Sequence, residues 1–373
     1  MALRSGSFKK FIYILILFAV LVIGVFWLVS VRQKNYGKFD GIKQVKEIRV
    51  SDGSELYNNS GFLFVTGMNG MKGYDGDGGL MMDVAFELDH PCTVSRGKTA
   101  AIADIGGNKV YIISPDGLPH SYKTEAPIVK LCTAEDGTTA VLMDDGSKDL
   151  IRIYTPDGDP KVEIGTTTAN DGFPVDIALS KDGRKLVTLY LSFSGDDIVS
   201  KVTFYNTGDV GKNFIENIVG QKIYAGEMAY SVDFMGNDHV ATVFGDGFSL
   251  FKMEEIPELL KDERSRFKLF DVQVCDECIA VISETSDGRK LSFYGTNGAV
   301  SGGIDVLNDY DSITVTNGEA LIIKGRTAVI YRMNGTTKLD CRFEGSGSRL
   351  YSGGGNKYFF TDPDNVRAVT LIK

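Results

Sequence analysis

Apolar residues in this chain come in short runs rather than at helical spacing. Eight runs recur: FLFV at 62–65, TAAIAD at 99–104, TAVLMD at 139–144, LVTLYL at 186–191, VATVF at 240–244, IAVIS at 279–283, ALIIK at 320–324 and YFFTD at 358–362. Each is followed by a polar turn and a second run, such as KVYIIS, LIRIY, VTFY, LSFY or AVIYR. Runs this short, rich in β-branched and aromatic residues and bounded by Gly, Asp and Asn, predict β-hairpins.

The second run of most hairpins closes on an apolar or aromatic residue followed by a turn ending in Gly. These marks are Tyr74–Gly78, Ile113–Gly117, Tyr154–Gly158, Tyr205–Gly208, Tyr294–Gly298 and Tyr331–Gly335, with Phe251 and Leu371 at the matching places. They stand 37 to 51 residues apart. A unit of roughly 40 residues holding about four short strands is the size of a propeller blade. A lone hairpin is marginal in water, so such units must stack. The pattern predicts an all-β propeller of about eight four-stranded blades over 42–373, or seven if Phe62–Tyr74 is not a hairpin. The terminal run Val366–Lys373 reads as the third strand of the last blade, and Gln44–Val50 as the outer strand that completes it. The stretch Glu254–Arg264, EEIPELLKDER, reads as a small inserted helix.

The N-terminus breaks this pattern. Phe11 to Val31 is an uncharged apolar run of 21 residues. As a helix it spans about 30 Å, the thickness of a bilayer core. Tyr13 and Trp27 lie near its ends, where interfacial aromatics belong. A cleaved signal peptide would carry a shorter apolar stretch and a small-residue cleavage site. Val29-Ser30-Val31-Arg32-Gln33 is a poor one, which favours a retained anchor. The expected organisation is a cytoplasmic tail (1–10), a transmembrane helix (11–31), a linker (32–41) and the propeller (42–373). Basic residues flank the helix on both sides, and the short tail with a large following domain favours a propeller outside the cytoplasm.

The formal charge of −9 is unevenly spread. Residues 1–40 carry a net +5, which leaves −14 on the remainder. A domain that acidic repels nucleic acid and anionic headgroups. In a propeller, the turns between the second and third strands emerge on one face. Here they contain Asp104, Asp144, Asp145, Asp196, Asp197, Asp246, Asp287 and Asp362, with Asp364. A ring of these carboxylates would attract a cation or a basic partner. Asp also suits tight turns, because its side chain caps its own backbone.

Other chemistry is sparse. His90, His120 and His239 stand in no metal spacing. GxSxG and phosphate-binding loops are missing from the sequence. Tyr74-Asp-Gly-Asp-Gly-Gly79 begins like a calcium loop, but Leu80 and Phe86 occupy its required Gly and closing Glu positions. Cys92, Cys132 and Cys341 sit in apolar settings as small core residues. Cys275-Asp-Glu-Cys278 fits a hairpin turn, or a disulfide across that turn if the domain lies outside the cell. No metal or other cofactor is expected.

The hairpins with Asp-Gly turns resemble the broad β-propeller superfamily over 42–373, and SPDG after VYII is similar to units of YVTN-type bacterial propellers. The anchor-plus-propeller layout resembles membrane-anchored propeller families of unknown function in Gram-positive bacteria. The single Trp, Trp27, lies in the anchor, so the blade tryptophans of WD40 and quinoprotein repeats are missing and a quinone-dependent enzyme is disfavoured. The layout implies a non-enzymatic extracytoplasmic module that binds a protein or envelope polymer. A carboxylate-based hydrolase or lyase and a sensory subunit are the alternatives.

Overall fold

The computed structural model describes Val20, Gly24 and residues 37–373 except 52, 115–118, 167–170, 265–268, 307–308, 344–346 and 363–364. Apart from Val20 and Gly24, the apolar segment 11–31 lies outside the described residues, as do the tail before it, the turn at 115–117 and Asp364. Among the described residues, eight four-stranded antiparallel sheets follow one another around a ring. Blades 1 to 7 span 55–85, 91–123, 128–166, 173–225, 229–264, 269–306 and 312–342. Blade 8 takes three strands from 349–372, and its fourth is Gly41–Arg49 from the start of the chain. The pairing of Phe62–Gly67 with Gly70–Tyr74 makes the count eight rather than seven.

Within each blade the strands are lettered A to D, from the channel outward. The core is not one mass. It is divided into eight apolar clusters, each between two neighbouring blades, and the last of them joins blade 8 to blade 1. The recurrent marks explain themselves here. Tyr74, Ile113, Tyr154, Tyr205 and Phe251 stand at or next to the ends of the C strands of blades 1 to 5, and each packs into the seam with the preceding blade. Tyr294, Tyr331 and Leu371 do the same for blades 6 to 8. Beside most of these residues the C–D ladder shifts register, as at Ile153/Tyr154 and Ile330/Tyr331. The turn that follows needs a left-handed residue, and Gly158 (φ 89°) and Gly335 (φ 80°) supply it without a Cβ penalty. The repeat is therefore a seam-filling side chain coupled to the turn that aims it.

One expected element differs. Glu258–Arg264 is not helical. It is the outer strand of blade 5, paired antiparallel with Gly247–Lys252. An outer strand is largely solvated, so its sequence need not alternate, and charges there discourage edge-to-edge association. The helix propensity of Glu, Leu and Lys yields to a complete backbone ladder. Pro257, just before it, also disfavours helix in the residues that lead in.

Candidate functional site

The A strands wall a cavity of about 640 Å³ on the ring axis, and residues from all eight blades line it. The wall strands of blades 3, 4 and 5 are mainly apolar, yet each places a charge one residue after a Val: Lys130, Asp176 and Asp233. Asp176 is buried, and both of its oxygens are engaged. Oδ1 accepts from its neighbour's amide (Ile177 N, 2.8 Å) and pairs with Lys130 at 2.5 Å, while Oδ2 accepts from Val232 N at 3.0 Å. Asp176 thus staples blades 3, 4 and 5.

Arg96 reaches further. It ends the A strand of blade 2, and its Nη2 meets Asp276 Oδ1 at 3.0 Å on blade 6, directly opposite in an eight-membered ring. The same nitrogen donates to the carbonyls of Phe234 (3.0 Å) and Gly236 (3.2 Å) on blade 5. The guanidinium therefore bars the axis at the end formed by the A–B turns. These turns are also stitched to one another. Thr99 Oγ1 donates to Glu135 O, Glu135 N to Lys181 O, Lys181 N to Gly236 O and Gly236 N to Asp276 Oδ1. Asn59 donates to Ser95 O, Asn58 to Ser352 O and Asn317 to Ser352 Oγ, which extends the stitching through blades 1, 2, 7 and 8.

Asp233 stands apart from these pairs. Desolvation raises its carboxyl to about 6, although Arg96 nearby and the Phe234 amide pull the other way. The folded-state value lies above that of the unfolded chain. The ionised group is therefore a cost to folding above about pH 6, and that cost disappears below about pH 4. Asp233→Asn is expected to add roughly 2–3 kcal/mol of stability at pH 7 and little at pH 4. Denaturant titrations at the two pH values check this, and an equal effect at both would contradict it.

Apart from Asp364, the aspartates singled out in the sequence lie at B–C turns, on the face opposite the A–B stitching. They do different things. Asp104 accepts from His90 N, and Asp144 from Gly146 N. Asp145 accepts from the Ser147 hydroxyl and from Ser147 N and Lys148 N, and these bonds hold its carboxyl below the usual range. Asp362 accepts from Asn365 N and pairs with Arg367. Asp246 pairs with Arg264. Among the described residues, Asp196, Asp197 and Asp287 have no ion-pair partner. Capping and an acidic face are thus both present, on different residues. No group of three or more His, Cys, Asp or Glu suited to a metal ion is found among the described residues.

Asp276 and Glu277 form the turn between the A and B strands of blade 6, closed by Cys275 N to Cys278 O at 2.9 Å. The two thiols are in contact, Sγ to Sγ 3.1 Å. The hydrogen bond from Cys278 lowers Cys275 below the ordinary thiol value, and the same bond raises Cys278. Cys92, Cys132 and Cys341 are half-buried beside the seams or channel.

Sequence reasoning missed Arg96, Lys130, Asp176, Asp233 and Asp276. For Lys130, Asp176 and Asp233 the available signal was a charge interrupting an apolar strand in three successive blades. A charge in a buried strand needs a partner, and the partner lies on another blade.

The sequence profile of a family described as a family of unknown function matches residues 32–371. No curated protein sequence matches the chain. Several solved propellers are similar in fold at low identity. One is BamB from Moraxella catarrhalis, with 14% identity, 89% of this chain and 100% of that chain covered, and a TM-score of 0.51. Another is apo AztD from Citrobacter koseri, with 11% identity, 82% and 90% covered, and a TM-score of 0.54. The WD40 domain of SCAP from fission yeast has 9% identity, 89% and 98% covered, and a TM-score of 0.56.

Proposed function

Given that the chain belongs to the family of unknown function DUF5711, we propose that it is a membrane-anchored, non-enzymatic binding module whose propeller stands outside the cytoplasm and engages a protein partner of the cell envelope. The observation that carries this reading is the asymmetry between the two faces. On the A–B face, polar groups are consumed between blades. On the opposite face, exposed apolar side chains such as Phe193 and Tyr230 stand with the carboxylates of Asp196, Asp197 and Asp287, which have no ion-pair partner among the described residues. The unbroken apolar run 11–31 supports the anchor, and the acidity of the rest suits a domain that stands off from anionic headgroups.

The raised carboxyl of Asp233 in an axial cavity is the feature that favours a hydrolase or lyase instead. Such chemistry needs a second carboxyl free to act as base or nucleophile. Asp176 and Asp276 are engaged as blade staples, which weighs toward binding. Outside the cytoplasm, Cys275 and Cys278 are expected to close as a disulfide, giving up two protons and two electrons to an extracytoplasmic disulfide oxidant.

The test is crosslinking of the full-length chain in intact cells with a membrane-impermeant, amine-reactive reagent. A reproducible protein adduct is expected. A chain that reacts only after permeabilisation would refute the location, and a chain that reacts but yields no reproducible adduct would refute the binding role.

A further inference from the structure

Blade 4 is unlike the others. Its B and C strands, Lys185–Ser194 and Asp197–Asn206, are ten residues each, the longest among the described residues. The inner strand stops pairing at Phe173↔Leu191, and the outer one at Val199↔Ala225. The tip from Ser192 to Ile198 therefore projects from the B–C face with no strand of the described residues on either side. It carries Phe193, 71% exposed, next to the turn holding Asp196 and Asp197.

Other exposed side chains gather at its base. Gly172 packs against the Leu191 carbonyl and Ser192, which sets Phe173 (53% exposed) beside the hairpin. The connection into blade 5 is tied to the hairpin's other edge by Gly226 N to Ile198 O, Ser200 Oγ to Glu227 O and Ala229 N to Ser200 Oγ. That connection presents Met228 and Tyr230, 45% and 59% exposed. Tyr230 lies over Gly245, where an added Cβ would meet its hydroxyl oxygen at 2.9 Å. The patch is preorganised, since the hydrogen bonds that assemble it are made in the free protein.

Its charge selects the occupant. Asp196 and Asp197 have no cation among the described residues. Glu227, Asp246 and Asp262 all pair with the single guanidinium of Arg264, so negative charge remains. Aromatic anchors within an uncompensated acidic rim match a partial complement. An anionic bilayer and a second copy of this acidic domain would both be repelled.

We propose that this patch on blades 4 and 5 is the docking site for a basic amphipathic segment of a partner protein. The proposal rests on the binding-module reading and names its surface.

The experiment uses the full-length chain in neutral detergent and two labelled synthetic peptides, one alternating Lys with Leu and Phe, the other with Glu in place of Lys. Fluorescence anisotropy, with empty micelles subtracted, should show the basic peptide binding at least ~10-fold tighter than the acidic one, and weakening as salt rises. Phe193→Ser should cost the basic peptide ~10-fold or more. Asp196→Asn with Asp197→Asn should flatten the salt dependence. Val300→Ser, an exposed apolar position on the outer strand of blade 6, should change nothing. Tyr230→Ser serves as a second probe should Phe193→Ser alter the melting curve. Equal binding of the two peptides, or equal effects of Phe193→Ser and Val300→Ser, would overturn the proposal. Failure here alongside a protein adduct formed in cells would remove this site and leave the binding role standing.

Discussion

Ile48→Asp is expected to lower stability by ~3–5 kcal/mol and the melting temperature by about 10 °C. Ile48 lies on the N-terminal strand opposite Val366, and it is 5% exposed. Around it pack Leu63 and Tyr74 from blade 1 with Phe359, Val366 and Ala368 from blade 8. It therefore belongs to the seam where the end of the chain meets its beginning. A carboxylate there has no partner and must either ionise in an apolar seam or open it. Val45→Asp makes the same chemical change on the same strand, at a bulged position that is half exposed, and should cost less than ~1 kcal/mol. Denaturant unfolding of the two variants compares them directly. Equal losses would mean that the closing seam does not hold the ring.

Glu319→Ala should be comparably severe, at ~3–5 kcal/mol, because it strands a buried ammonium. Lys338 is 6% exposed between blades 7 and 8. Its Nζ donates to Glu319 Oε1 at 2.6 Å, Tyr358 Oη at 2.7 Å and the Gly355 carbonyl at 2.6 Å. Tyr358 in turn donates to Glu319 Oε2. Burial raises the Tyr358 hydroxyl well above its usual value, with the Glu319 charge adding to the effect, so it stays a neutral donor at any ordinary pH. Removing the carboxylate leaves three donor positions on Lys338 with two acceptors and no countercharge. Glu319→Leu combined with Lys338→Met replaces the pair by apolar volume and should recover most of the loss. A double variant as unstable as Glu319→Ala would show that the charges themselves, rather than their pairing, are required.

The architecture was legible because one physical task repeats eight times. Each seam needs a large side chain at the end of a C strand and a tight turn to aim it, so Tyr154 with Gly158 and Tyr331 with Gly335 announce themselves in sequence. Glu258–Arg264 was misread because an outer strand has little to bury, and propensity is all that remains to read there. The acidic turns were visible, yet their roles were not. Whether Asp145 caps its own turn, Asp246 pairs with Arg264 or Asp197 stands free depends on neighbours that spacing does not reveal. The channel was the least legible part. Arg96 and Asp276 are partners only because eight blades place blade 2 opposite blade 6, a fact carried by the closure of the ring rather than by any local motif. The docking patch has the same origin. Phe173, Phe193 and Tyr230 become neighbours through an overlong hairpin and the loop hydrogen-bonded to its base.

The most direct measurement is site-specific photocrosslinking of the full-length chain in intact cells, with a photoreactive residue at position 193 on the B–C face or at position 98 on the A–B face. A reproducible protein adduct is expected from position 193 and none from position 98. An adduct from position 98 alone, or from neither position, would contradict this expectation.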